Sequence, residues 1–350
     1  MTTDRPPRSR PRRRSAVRWA FRVLVLLVAF GAGELLVRAY LWHVPPKLRA
    51  DEKAGWRCVE SYSLRGTIAD ASGEKRPYVY TTDEHGYRLS GDPASGKRKL
   101  LVLGDSFTQA AAVSDDETYY ARIKAWTGAE VFACGAGGYG SLQEYMLLDE
   151  GLDRIRPDLV IWQFCTNDFI NNDPGLEYAS RWDNNGMRRP YLARDGSVEY
   201  ELPKPLPGLR RLGESSKFIF AIFTCWDRLG ARFGRTVETE IEREGASHEG
   251  FRRASATTER IMAMVKERCG GTRLVAFSAD EREPYSSEFE AICGRTGIEL
   301  ARGVPEAVRQ EARTGCVLAA DRAHWNARGH LACARRLREY LERHPAPRSP

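Results

Sequence analysis

Four short apolar runs, separated by stretches of helical periodicity, restrict this chain to very few architectures. The runs are Lys99–Leu103, Glu130–Cys134, Asp158–Phe164 and Thr272–Phe277. Each is continuous, not alternating, and a strand of that kind has both faces covered, as in a parallel sheet wrapped by helices on its two sides. Helical patterns follow or separate them at Thr118 to Trp126, Leu142 to Arg154, Gly250 to Cys269, Ser286 to Thr296 and Asn326 to His344. Strands alternating with helices need crossovers, which are right-handed, so the spacing predicts an α/β fold. Cys316 to Ala320 reads as a short last strand or an extended run into a loop, and no internal repeat interrupts the plan.

About a hundred residues separate the third run from the fourth, long for one connection, which predicts an inserted lid or a region with helices of its own. Within it, Ser216 to Phe233 places Phe218, Ile219, Ile222, Phe223, Trp226, Leu229 and Phe233 at helical spacing. That stripe is expected to pack against the main core, with a membrane-binding face as the alternative.

The first fifty residues follow a different plan. Residues 1–22 hold eight arginines against one acid, Asp4, and so account for the whole formal charge of +7. The remainder is neutral, which removes the electrostatic argument for a nucleic-acid partner. Next comes an apolar stretch from Trp19 to Trp42, uninterrupted from Val23 to Gly33. About 20 residues suffice to cross the hydrocarbon of a bilayer. Arg22 can snorkel to the interface, Glu34 and Arg38 are spaced to pair on one helix face, and Trp19, Tyr40 and Trp42 would mark the two interfaces. No small-x-small site closes the apolar core before Glu34, so an uncleaved anchor is expected ahead of a cleaved signal or a buried helix. The positive-inside rule then makes 1–18 a basic cytoplasmic tail and 19–42 the transmembrane anchor. A linker and a preamble rich in turns and short extended pieces fill 43–98. The main domain is 99–345, inserted at about 170–250, on the periplasmic or extracellular side.

Eight cysteines (58, 134, 165, 225, 269, 293, 316 and 333) contain no CxxC pair, which gives no support to a zinc or redox motif. Disulfides are open to them on the outer side, while Cys134, Cys165 and Cys316 read equally as small buried apolar residues.

In open parallel sheets, ligands bind beyond the carboxyl ends of the strands. Those ends carry Gly104-Asp105-Ser106, Cys134-Gly-Ala-Gly-Gly138 and Cys165-Thr166-Asn167-Asp168, and Asp321-Arg-Ala-His324 stands near the C-terminus. A serine opening a helix is exposed in a field that favours negative charge. His324 can take its proton, and Asp321, three residues earlier, can fix the imidazole tautomer. Backbone amides at Ser106 and Gly138 and the Asn167 side chain can donate to an oxyanion. Asp105 and Asp168 read as structural hydrogen-bonders. Each residue also has a plainer reading: Asn167 as a helix cap, Gly138 as a turn glycine, and His324 as a surface histidine, as His330 and His344 are expected to be.

Four such segments in this order resemble the blocks of the SGNH (GDSL-type) hydrolase superfamily. Asp83-Glu-His-Gly-Tyr-Arg88 and Glu34-Leu-Leu-Val-Arg38 further resemble its membrane-anchored bacterial branch. The resemblance spans about Thr82 to Tyr340. It implies a three-layer, flavodoxin-like α/β/α sandwich with a five-stranded parallel sheet, acting on acyl esters with no metal or cofactor. It implies Ser106 as nucleophile and first oxyanion donor, Gly138 and Asn167 as further donors, His324 as base and Asp321 as its partner. One departure is Cys165, where the family has glycine; its side chain would narrow the acyl pocket or shift Asn167.

Three functions compete: a membrane-tethered esterase removing small acyl groups, acetyl above all, from a carbohydrate or other envelope ester; an O-acyltransferase using the same acyl-serine; and a silent binding protein. The full set of reactive side chains favours the first two.

Overall fold

Leu101 and Leu103 enter one apolar layer while Leu100 and Val102, their neighbours, enter another. This alternation is how a strand buried on both faces satisfies its period of two. The computed structural model describes residues 12–43, 46–180, 187–201, 216–233 and 236–345; the first eleven residues of the basic tail, and Pro45 of the linker, lie outside the described residues. The described chain forms two compact units, one made of 47–205 with 233–350 and the other of 1–46 with 206–232.

The larger unit opens with two antiparallel hairpins, β1 (Leu48–Asp51) with β2 (Gly55–Cys58) and β3 (Ser63–Ala69) with β4 (Lys75–Thr81). The central sheet follows: β5 (Lys99–Gly104), β6 (Glu130–Gly135), β7 (Leu159–Phe164), β10 (Arg273–Ser278) and β11 (Glu299–Leu300). A third hairpin, β8 (Arg189–Leu192) with β9 (Val198–Glu201), lies within the long insertion. The sheet order is β11-β10-β7-β5-β6 and every pair is parallel. Numbered along the chain, that is the doubly wound order 2-1-3-4-5, whose switch point lies between β5 and β7.

One face is covered by α4 (Ser141–Ile155), α9 (Glu249–Cys269) and α10 (Tyr285–Thr296), and the other by α3 (Tyr119–Thr127), α11 (Val304–Ala312) and α12 (Ala327–Arg343). The result is the expected three-layer α/β/α sandwich. Short helices α2 (Ser106–Gln109), α5 (Asn167–Asn171) and α6 (Pro174–Ala179) follow strand ends, and α8 (Val237–Glu244) precedes α9.

Of the two readings of Cys316–Ala320, the extended run into a loop is the one found: it makes only single bridges, Leu318 to Trp325 and Asp70 to Ala319, and is not the last strand. The fifth strand is β11, whose two residues are too few to show an apolar run. The cysteines are all free, and six of them, Cys134 and Cys165 included, are buried; Cys316 is half-buried and Cys225 exposed.

The smaller unit contains α1 (Arg12–His43) and α7 (Lys217–Phe233). Ala16–Trp42 is long and apolar enough to cross a membrane. Glu34 and Arg38 pair at 2.6 Å, as their spacing predicts. The α7 stripe departs from expectation, because Ile222, Trp226 and Leu229 are exposed and not packed in a core.

Candidate active site

The end of β5 requires glycine, since a Cβ on Gly104 would lie 2.3 Å from Gln163 Oε1 and 2.4 Å from Thr108 Oγ1. That space is filled by a deliberate contact. Gln163 Oε1, in β7, accepts from Asp105 N at 3.1 Å, Thr108 N at 3.1 Å and Thr108 Oγ1 at 2.9 Å. Asp105 caps α2 by accepting from Phe107 N at 2.9 Å. These bonds lock the turn that presents Ser106 at the first position of the helix. Its far end is held by buried Arg88, which donates to the carbonyls of Gln109 at 3.1 Å, Ala110 at 3.2 Å and Val113 at 2.8 Å. Arg88 also pairs with Asp115 and lies 3.9 Å from the Tyr80 ring centre. The last residue of Asp83–Arg88 is thus a clamp on the C-terminal carbonyls of the serine helix, where a cation is favoured.

His324 comes from the turn before α12. Ala319 N donates to His324 O at 2.8 Å and Asn326 N to Val317 O at 2.8 Å, so the Val317–Ala319 run serves as a rail for the turn. Asn326 caps α12 by accepting from Arg328 N and Gly329 N, and its amide reaches Asp70 at 3.1 Å. Asp321 Oδ1 accepts from the amides of Ala323 at 2.9 Å and His324 at 3.0 Å, leaving Oδ2 at 2.7 Å from His324 Nδ1. His324 Nε2 stands 2.8 Å from Ser106 Oγ. The imidazole contact above all, with the two amides, holds the Asp321 carboxyl well below the ordinary carboxylate range. Phe107 packs on the imidazole with ring centres 5.1 Å apart and is backed by Trp325 at 4.7 Å.

The glycine loop after β6 is pinned at three of its backbone atoms. Gly137 N donates to Gln109 Oε1 at 2.8 Å, Trp56 Nε1 donates to Gly137 O at 3.1 Å, and Arg189 donates to Gly138 O at 2.7 Å. Asn171 Nδ2 supports the same Gly138 carbonyl at 3.2 Å. In a planar trans peptide the C=O and the following N–H point in opposite directions, so fixing Gly137 O on Trp56 aims the Gly138 N–H away from it. Gly138 needs glycine because its φ is +74°. A Cβ on Gly137 would approach Ser106 Cβ to 3.9 Å, which puts this loop beside the serine.

Asn167 opens α5, and its surroundings are fixed from both sides. Thr166 bonds Asp280 through N at 3.0 Å and Oγ1 at 2.6 Å, and Asp168 accepts from Cys165 N at 2.9 Å. Among the described residues, the Ser106 and Gly138 main-chain N–H groups and the Asn167 side-chain amide meet no acceptor. Cys165 is buried in the same apolar layer as Phe107, and burial pushes its thiol well above the usual range. Asp105, Glu144 and Asp168 are buried beneath the site, and burial raises all three.

Several residues that build the site were not foreseen: Trp56, Arg88, Gln109, Gln163, Asn171 and Arg189. Gln163 had a visible signal, being polar within a doubly covered strand. His330, expected at the surface, is instead buried and stacked on Tyr119. His344 is exposed as expected.

A model of the GDSL-like lipase/acylhydrolase family matches residues 102–332. The chain belongs to that family. The match begins inside β5 and ends in α12, so it contains all five candidate residues and excludes the preamble hairpins and α1. The fold is similar to a catalytic mutant of an acetylxylan esterase from Geobacillus stearothermophilus, at 14% identity and TM-score 0.37, covering 71% of this chain and 94% of that one. A lipase/acylhydrolase from Enterococcus faecalis matches at 13% identity and TM-score 0.38, covering 72% and 100%. The esterase EstA from a Pseudoalteromonas species matches at 10% identity and TM-score 0.39, covering 70% and 97%. No curated protein matches the chain.

Proposed function

We propose that this chain is a serine ester hydrolase, as its membership of the GDSL-like lipase/acylhydrolase family supports. We propose that Ser106 is the nucleophile, with His324 as general base and Asp321 as the group that fixes its tautomer. The single observation carrying this is the unbroken hydrogen-bonded chain from Ser106 Oγ to His324 Nε2 at 2.8 Å and from His324 Nδ1 to Asp321 at 2.7 Å. Ser106 Oγ attacks the acyl carbonyl as its proton passes to Nε2. The oxyanion is met by the Ser106 and Gly138 N–H groups and the Asn167 amide. Collapse expels the alcohol, which takes the proton from His324, and a water then attacks the acyl-serine with His324 again as base. The Asp321 carboxylate stabilises the imidazolium in both halves.

The acyl group is small, acetyl above all. The ester belongs to a carbohydrate or another envelope molecule, and the enzyme is tethered by α1 with its catalytic unit on the outer side. Water is the acceptor, because hydrolysis needs only His324 once the acyl-serine exists, whereas transfer needs a site that positions an alcohol and excludes water. An aryl acetate offered with candidate oligosaccharides tests this. A hydrolase yields acetate at a rate indifferent to the sugar. Acetylated sugar as the main product would overturn the choice of acceptor and leave the three reactive residues in place.

A further inference from the structure

The geometry points to α7 as a second membrane-embedded helix, bedded in the leaflet on the Trp42 side through the face that bears Phe218, Ile222, Cys225, Trp226 and Leu229. The inference rests on reading α1 as a retained anchor. Its starting observation is where α7 begins. Phe218 lies edge-on to Phe30 of α1 with ring centres 5.8 Å apart, and its ring fills the bare face of Gly33, where a Cβ would lie 2.7 Å from it. Glu34 accepts from Ser216 Oγ at 2.8 Å, Lys217 N at 3.2 Å and Phe218 N at 3.0 Å. Phe30, Gly33 and Glu34 all fall within the Ala16–Trp42 span, past its middle toward Trp42. Glu34 is eight residues short of Trp42, roughly 12 Å along the axis. Whatever depth Glu34 has in the bilayer, the first turn of α7 shares it.

Each partner removes the other's cost of being there. A carboxylate within a span is expensive unless it is paired. Glu34 has Arg38 at 2.6 Å and the three donors at the start of α7. The first N–H groups of any helix have no acceptor within it, and hydrocarbon offers no water to replace one. Glu34 is that acceptor. The small side of Gly33 permits the close approach that holds helices together in lipid.

The remainder of α7 suits the same solvent. Positions 218, 222, 225 and 229 fall on one helical face, with 226 beside it. Trp226 is 74% exposed and Leu229 56%, a face that water would penalise and acyl chains accept. Seventeen residues make a helix of about 25 Å, too short to cross a core of about 30 Å, so α7 stays in one leaflet.

Cys225 supplies the probe, since it is exposed while six of the other cysteines are buried and Cys316 is half-buried. The full chain, labelled there with an environment-sensitive fluorophore, is reconstituted in phosphatidylcholine–phosphatidylglycerol vesicles and quenched by nitroxide-bearing phosphatidylcholine or by aqueous cobalt. The expected result is several-fold stronger quenching from the lipid side, reversing in Glu34→Leu while that variant stays in the membrane. Release of the wild-type chain by an alkaline carbonate wash would overturn the anchor reading and this inference with it. Retention with full quenching by cobalt would overturn the placement of α7 alone. So would retention with access to neither quencher, which is the signature of a second copy or another protein covering the face.

Discussion

Replacing Arg189 by methionine separates what holds the glycine loop from what stabilises the fold. The Arg189 and Glu177 side chains are 1% and 0% exposed and form an ion pair. Arg189 also donates to Gln143, lies 4.7 Å from the Trp56 ring centre and bonds Gly138 O at 2.7 Å. Removing one member of a buried pair costs about 3–5 kcal/mol, because the other charge keeps its desolvation without its partner. Tyr191 remains on Glu177 at 2.8 Å, so the lower end, about 3 kcal/mol, is expected. In the site, Gly138 O keeps Asn171 but loses its shorter donor, and Trp56, whose bond to Gly137 O fixes the plane of the Gly138 N–H, loses the guanidinium against its ring; the N–H is loosened, not deleted. Deleting an oxyanion donor costs about 10² to 10³ in kcat, so loosening one should cost about tenfold, or about 1.4 kcal/mol. Stability is read by urea unfolding and kcat by aryl acetate turnover. The double variant Arg189→Met, Glu177→Gln should recover about 2 kcal/mol of stability by removing the stranded charge, with kcat still low. Wild-type kcat in the single variant would refute a role for Arg189 in holding Trp56 and the glycine loop for the Gly138 N–H. Recovery of kcat in the double variant would assign the loss to the Glu177 charge instead.

Asn167→Ala should lower kcat by about 10² to 10³ with KM nearly unchanged; a raised KM at normal kcat would make Asn167 a substrate contact. Burial holds His330 down to about 3, against an unfolded imidazole near 6.5. The unfolded chain therefore binds the extra proton between those values, and His330 withdraws stability as pH falls through that window, by up to about 1.4 kcal/mol per pH unit. His330→Gln should flatten the acid limb of urea stability against pH, and parallel limbs would refute the assignment. Burial and then the Asp105 charge raise Glu144, and burial, Glu144 and Asp105 raise Asp168, so their contribution is present at low pH and lost as pH rises from the ordinary carboxylate range toward the raised one. Glu144→Gln, still able to accept from Trp162, should lose less stability than wild type as pH rises above the ordinary carboxylate range; equal losses would show that Glu144 is already ionised in the folded chain there.

The parts of the fold written in local pattern were legible, and those made by distant pairing were not. β5 and β7 declared themselves because a doubly covered strand has no room for alternation, and the chemistry stood at their carboxyl ends, where a doubly wound sheet opens. β11 pairs through two residues and leaves no local trace. Arg189 and Glu177 lie in an insertion without periodicity, and their bond exists only once β8 is folded against α6. Periodicity showed that α7 has an apolar face but not what covers it. His330 was readable in retrospect, since it shares the buried face of α12 with Cys333, Ala334 and Leu337. A histidine alone on such a stripe is more simply a core residue than a surface one.

The central claim is that the acyl group passes through Ser106. Mixing the enzyme with an aryl acetate, stopping in acid within the first turnovers and mapping the modified peptide by mass tests it most directly. One acetyl group on Ser106, absent in Ser106→Ala and not accumulating in His324→Ala, is the expected result. Acetyl on another residue, or turnover that persists in Ser106→Ala, would contradict it.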